Sequence, residues 1–235
     1  MSLLTIIQDV ADRVGLVRPT SVIGAADPQT RQLLALANQE GQELARRHDW
    51  QALTKEKTWT AAATQAQTGV LPSDFDRFVT GTFYNRTRSR IVTGPLTPQE
   101  WQDYQSRLTS IVYDAFRVRG DTIYLLPTPS GADTYAFEYV QAGWCASDGD
   151  TAPDQTAWAQ DSDASFLPVE LIELGTIWRY KHARGLDYAE DFRNWELQFA
   201  RITGREGGKR TLNMGAQVDK RQPRAPQAPD GNWSL

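Results

Sequence analysis

Tyr188, Phe192, Trp195, Phe199 and Ile202 recur at intervals of four, three, four and three. That spacing lays five large apolar side chains along one stripe of an α-helix, and such a stripe is stable only against other apolar elements. The chain must therefore supply partners for it. "LPVELIELGTIWRYKHARG", from Leu167, places Leu171, Leu174 and Trp178 at helical spacing and is broken by Gly185. At the N-terminus Leu4, Ile7, Ala11 and Val14, with Leu3, Ile6 and Val10 beside them, predict a short amphipathic helix ended by Gly15. "QTRQLLALANQEGQELARRHDW" predicts a further helix, capped by Asp27, with Pro28 in its first turn. It is expected to run to about Trp50 and to bury Leu33, Leu36, Ala37 and Leu44.

Between these helices the composition shifts to threonine, aromatics, glycine and proline, which suit strands and turns. In "AFRVRGDTIYLLP" Phe116 and Val118 alternate with arginines, Gly120 and Asp121 supply a turn, and Ile123 and Leu125 resume the alternation, the pattern of a hairpin. "TYAFEYVQAGW" predicts a strand with Tyr135, Phe137 and Tyr139 on one face. "LTPQEWQDYQS" predicts a short helix capped by Thr97 with Pro98 first. Ala146 to Ser165 holds five aspartates and no basic residue, the composition of a solvated loop or crossing. The expected fold class is α+β: an antiparallel helical bundle, two N-terminal and two C-terminal helices, with a β-rich insertion and an extended C-terminal arm. The expected boundaries are 1–54 for the N-terminal helices, 55–145 for the insertion, 146–203 for the acidic loop and C-terminal helices, and 204–235 for the arm.

The candidate chemistry is sparse. Cys145 is the single cysteine, so no intramolecular disulfide and no multi-cysteine metal site is open to the chain. His48 and His182 are the only histidines and neither has a second ligand at metal spacing. No serine or cysteine stands in a recognisable nucleophile setting, so no enzyme, cofactor or metal is expected. "RGD" at Arg119 to Asp121 reads as the hairpin turn, and "DGD" and "DSD" lack the remaining ligands of a calcium loop. "GREGGKRTLNMG" fails as a phosphate cradle: a P-loop ending in Gly208-Lys209 needs glycine where Thr203 stands and Ser or Thr where Arg210 stands. No apolar run reaches the roughly 18 residues that cross a bilayer, and the expectation is a soluble cytoplasmic protein.

Charge is distributed unevenly. The whole chain carries -4, but residues 204–235 hold six basic residues against three acidic ones. Glycine, proline and glutamine dominate the same stretch, which cannot offset its own ordering entropy and needs a partner. Arg86, Arg88 and Arg90 in "NRTRSR" share a face if the stretch is extended. They would then meet phosphates or an acidic partner, or else form a charged edge that resists sheet-to-sheet association.

In their order along the chain, "LPSDFDRFVTGTFYN", "GPLTPQEWQ", "FRVRGDTIYLLPTP", "YAFEYVQAGW" and "LPVELIELGTIWRYKHARGLDYAEDF" resemble the head-to-tail adaptor, or connector, proteins of tailed bacteriophages. The resemblance implies a structural protein of the virion neck, assembled in the host cytoplasm. It implies a ring of copies, commonly twelve-fold, that binds the portal protein, extends the channel for genomic DNA without sequence-specific binding, and receives a tail or nozzle protein. Under it the C-terminal arm inserts into the portal, with Arg205, Lys209, Arg210, Leu212 and Met214 as charged and apolar anchors. Arg86, Arg88 and Arg90 are the candidate DNA or partner contacts. The alternatives are a nucleic-acid-binding module using those arginines with Arg117 and Arg119 on a β surface, or another neck component such as a stopper or tail terminator.

Overall fold

A computed structural model describes residues 1–106 and 114–207. The class is α+β. In chain order the helices are α1 (Leu3–Val14), α2 (Pro28–Arg47), α3 (Pro98–Ser106), α4 (Val169–Ala183) and α5 (Ala189–Glu206). The strands are β1 (Thr54–Thr60), β2 (Ala66–Gln67), β3 (Phe75–Phe78), β4 (Tyr84–Asn85), β5 (Arg90–Thr93), β6 (Asp114–Arg119), β7 (Thr122–Leu126), β8 (Thr134–Gln141), β9 (Cys145–Ala146) and β10 (Ala164–Ser165). Two compact units result: Met1–Thr54 with residues 140–207, and residues 55–106 with 114–139.

The first unit is built from capped helices. Ser2 Oγ accepts the Thr5 N–H and Gly15 closes α1 in the left-handed conformation at φ 73°, which glycine adopts without a Cβ penalty. Asp27 accepts both the N–H and the hydroxyl of Thr30 at 2.8 Å, and the backbone bond from Thr30 is the main cause holding its carboxyl below the usual range. α2 stops at Arg47, short of the expected Trp50. His48 is extended, and the Trp50 indole turns back to donate to the Leu44 carbonyl at 2.7 Å, satisfying one of the end carbonyls a longer helix would have used. α4 touches α1, α2 and α5. With neighbours on three sides it is buried around most of its circumference, including Glu173, Thr176 and Arg179, while the expected stripe residues Leu174 and Trp178 are only half-buried.

The aspartate-rich segment corrects the sequence reading in part. Most of it is exposed, including Asp148, Asp150 and Asp154, as a solvated loop should be, but Asp161 is half-buried and Asp163 is built into the unit. Asp163 is fully buried, and its carboxylate accepts the N–H groups of Ala159 and Gln160 at 2.7 and 2.8 Å. Asp161 accepts the Ile23 N–H at 2.7 Å, the Ser21 hydroxyl at 2.8 Å and the Val22 N–H at 3.1 Å. Burial would raise the Asp161 pKa, but the Ile23 N–H and the Ser21 hydroxyl outweigh it and hold the carboxyl low. These aspartates organise loops through backbone N–H groups, a use that charge counting does not reveal. Trp158 packs edge-on against Trp144 at 4.9 Å, and the Trp144 ring lies where a side chain at Gly41 would have to go.

In the second unit the sheet order is β1-β8-β4-β5-β6-β7-β2, with β3 also paired to β8. The hairpin β6–β7 forms in the expected register, Val118 opposite Ile123 and Phe116 opposite Leu125. β5 and β6 pair in parallel. A parallel pair needs a crossover of about a dozen residues or more, and α3 lies in that connection. The helix opens with a capping box: Glu100 N–H donates to Thr97 Oγ1 at 3.3 Å, and the Glu100 carboxylate accepts the Thr97 N–H at 2.9 Å. The core is aromatic, with Phe83 at 4.4 Å from Phe116, Phe78 at 4.9 Å from Phe137, and Trp59 stacked on Tyr135 at 5.5 Å. Such pairs contribute about 0.5–1.5 kcal/mol each beyond area burial.

Candidate interaction surfaces

The stripe that opened the sequence reading lies on α5, where Trp195 is fully buried and Phe192, Phe199 and Ile202 are half-covered. Its rings form a ladder. Trp178 meets Phe192 edge-on at 5.2 Å, Trp195 stacks on Phe199 at 5.8 Å, and Phe199 reaches Trp50 at 6.2 Å. The Arg47 guanidinium covers the ladder, 4.7 Å from the Trp195 ring centre and 4.5 Å from that of Phe199, and pairs with Glu196 at 3.0 Å. Leu197, two residues from both Trp195 and Phe199, lies on the opposite face of α5 and is 59% exposed, and Leu186, ahead of the helix, is 53% exposed.

Beside the ladder an ionic cluster, buried at Glu40 and Arg179 and exposed at Glu43, joins α2 to α4. Arg179 donates through Nε to Glu40 at 2.7 Å and through a terminal nitrogen to Glu43 at 2.6 Å, and its guanidinium lies 4.4 Å from the Trp178 ring centre. Glu40 is wholly buried, and its second oxygen has no hydrogen-bond partner. Burial pushes the Glu40 carboxyl up to about 7, against the pull of Arg179. Gly175 is required here because a Cβ would fall 2.5 Å from Glu40 Cγ.

α5 does not end where the apolar periodicity ends. It continues to Glu206, whose carboxylate accepts the Gln51 N–H at 2.7 Å and lies 3.7 Å from His48 Nε2, and Gly207 then leaves the helix in extended conformation. Arg205 therefore belongs to the last helical turn, not to the arm. Beside this turn is an open groove of about 490 Å³ whose walls include Trp50, Phe166, Leu167 and Ile202. Lys209, Arg210, Leu212 and Met214 lie outside the described residues.

The arginine cluster departs from the extended arrangement. Residues 86–89 form the turn between β4 and β5, with Ser89 at φ 51°, so Arg86, Arg88 and Arg90 do not share a strand face. Arg86 and Arg88 face carboxylates of the same unit. Arg86 pairs with Glu56, and Arg88 lies 3.0 Å from the buried carboxylate of Asp133, an ion-pair distance without hydrogen-bond geometry. Asn85, fully buried, donates to Asp114 at 3.2 Å and accepts the Arg88 N–H at 3.1 Å, fixing the turn. Arg119 covers the Tyr124 ring at 5.2 Å. An open groove of about 530 Å³ beside the turn includes Glu56, Tyr84, Arg86 and Glu138, a mixed-charge surface.

A family model described as SU10 adaptor protein matches residues 1–227. The chain belongs to the SU10 adaptor protein family. No curated protein matches it. Membership bears out the resemblance to phage head-to-tail adaptors and classes the protein as a bacteriophage structural component that joins other head and tail components.

The remaining residues singled out in the sequence of this adaptor have packing roles. Cys145 is buried, and burial followed by Asp163 and Asp154 pushes its thiol up to about 12. His182 packs edge-on against Tyr188 at 4.9 Å, and His48 against Trp50 at 5.0 Å. Among the described residues no helix is long and apolar enough to cross a membrane. The Glu40–Arg179–Glu43 cluster escaped the sequence reading; the visible signal is a glutamate on the apolar side of a helix, three residues after Ala37 and four before Leu44.

Proposed function

We propose that this adaptor is a neck protein that assembles as a closed dodecameric ring beneath the portal, extends the DNA channel and joins the head to a tail or nozzle protein. Its α1, α2, α4 and α5 form the antiparallel bundle of each subunit, and residues 55–145 are the β-rich insertion. The C-terminal arm inserts into the portal through Lys209, Arg210, Leu212 and Met214, with Arg205 at its helical root. The observation that carries this reading is the family match, which runs through the arm as far as residue 227, so the arm is part of the family pattern and not an appendage to it. α5 supports it by ending in a defined exit at Gly207, directly ahead of the basic stretch. A ring multiplies weak contacts, because neighbouring arms engage together. A head-to-tail contact between two different faces of the subunit closes such a ring.

The alternative of a nucleic-acid-binding β surface is disfavoured by the pairing of Arg86 and Arg88 with carboxylates of the same unit, which reduces the charge offered to phosphates. The test is electron microscopy of purified portal rings mixed with the full chain or with a chain ending at Gly207, a cut that keeps the bond from Gln51 to Glu206. Only the full chain should add a ring to the portal. Equal attachment of both forms would refute the docking-arm role, and attachment of neither would refute the portal assignment.

A further inference from the structure

We propose that the outer face of α5 in one subunit packs along the outer face of α2 in the next copy of this chain, with Leu197 seated in the groove beside Leu34 and Ala35. The inference rests on the ring reading above and names the two faces that close the ring.

The face on α5 stands free. Trp195 turns inward, and at about 100° per residue Leu197 points away from it, with Arg193 one turn before and Arg201 one turn after. All three are exposed, and neither arginine has an ion-pair partner among the described residues. An exposed leucine between two unpaired cations fits a surface with an apolar recess bordered by acid.

The same helical unit carries such a recess on another side. Between α2 and the loop that precedes it lies an open groove of about 450 Å³, whose walls include Val22, Ala25, Leu34 and Ala35, with Arg31 as its one charged lining residue. The aspartate-rich segment borders it. Asn38, at the edge of the groove, accepts the Trp158 N–H at 2.9 Å, and one turn further on Gln42 donates to the Thr156 carbonyl at 3.5 Å. Asp148, Asp150 and Asp154, shortly before Thr156, are exposed and have no ion-pair partner among the described residues. Glu40 and Arg47, which face α4 and α5, lie on the opposite side of α2 from Asn38 and Gln42. The α5 face and the groove therefore belong to different sides of one subunit, as a closing head-to-tail contact requires.

The order of groups along the two helices matches as well. α5 presents Glu190, Leu197 and Arg201 in turn, and α2 presents Arg31, then Leu34 and Ala35, then the acidic segment at the level of Gln42. Glu190 and Arg201 are eleven positions apart, as are Arg31 and Gln42, about 16 Å of helix in each case. With the helices running the same way, acid meets base at one end, Leu197 meets the groove, and Arg201 meets the aspartates at the other end. Arg205 and Arg46 fall level one turn further on, so the helices cross at an angle and part before two cations meet.

The test uses the full chain on purified portal rings. By electron microscopy, Leu197→Glu, a change on a solvent face, should raise the protein concentration needed for a ring at least tenfold; a ring that persists unchanged refutes this interface alone, and a parent chain that adds no ring refutes the ring reading and the interface with it. Arg201→Glu and Asp154→Arg should each weaken the ring, and the two together should restore it; no recovery overturns the pairing of these faces. Thiol cross-linking with buried Cys145 replaced by alanine reads the contact directly. A chain carrying both Ala35→Cys and Leu197→Cys should give a ladder of disulfide-linked multimers under oxidised glutathione, while a mixture of the two single variants should stop at dimers. Monomers alone from a ring seen intact overturn the proposal, and so do dimers formed by either single variant by itself, which would make the contact a symmetric one.

Discussion

Replacing Gly175 with alanine tests the packing at the centre of the helical unit. On an ordinary helix the change would stabilise by about 1 kcal/mol, because glycine is the poorer helix former. Here the added Cβ falls 2.5 Å from Glu40 Cγ and nearer still to the carboxylate carbon. Glu40 has no free space to move into, being wholly buried and held by Arg179 Nε at 2.7 Å. If the helices separate slightly, overpacking costs about 1–3 kcal/mol. If Glu40 swings away and abandons Arg179, breaking the buried pair costs about 3–5 kcal/mol. After subtracting the helix preference, the net loss is about 2 kcal/mol, large against the roughly 5–15 kcal/mol that holds a domain folded. Urea unfolding followed by tryptophan fluorescence should show a lowered midpoint with an unchanged slope. In a Glu40→Ala background the obstruction is gone, and Gly175→Ala should become neutral or stabilising by up to about 1 kcal/mol. A Gly175→Ala change that costs nothing in the parent, or the same in both backgrounds, would refute the account.

The same cluster carries a pH dependence of defined sign. Glu40 titrates at about 7 when folded against 4.5 ordinarily, so the folded state binds its proton more tightly; the group's contribution is complete below pH 4.5 and is lost as pH rises through about 7. The parent should therefore lose stability relative to Glu40→Gln between pH 5 and pH 8 in denaturant titrations, and parallel curves would show that Glu40 does not titrate there. Cys145, with its thiol pushed up to about 12 and no exposure, should react with a thiol reagent at neutral pH only as fast as the protein opens; immediate stoichiometric labelling of folded protein would contradict that. Asp161→Ala should lower stability by about 1–3 kcal/mol, because it strands the N–H groups of Val22 and Ile23, and an unchanged unfolding midpoint would show that water replaces the carboxylate at no cost.

Local patterns proved sufficient wherever one short-range interaction decides the outcome. Gly15 ends α1, Asp27 starts α2, Thr97 and Glu100 open α3, and the Arg119–Gly120–Asp121 turn joins β6 to β7, each because a cap or a positive φ acts within a few residues. The order of such segments also carried the adaptor resemblance, and the family match agrees with it. Patterns misled where a distant partner decides. The periodicity of α5 ends at Ile202, but the helix runs on to Glu206 because that carboxylate finds the Gln51 N–H, remote in sequence. Arg86, Arg88 and Arg90 have the spacing of a strand face, yet Asn85 and Asp114 bend the chain there into a turn.

By itself the sequence determined most of the stretches that become helix or strand, because propensity, capping and turn chemistry are properties of neighbours in the chain. The partners of charged groups were decided by the tertiary structure alone. Whether Asp161 meets water or the Ile23 N–H, and whether Glu40 is an exposed helix carboxylate or a buried partner of Arg179, depends on residues more than a hundred positions away. Packing brings those groups within 3 Å, and a Coulomb interaction or hydrogen bond has its value only at that distance.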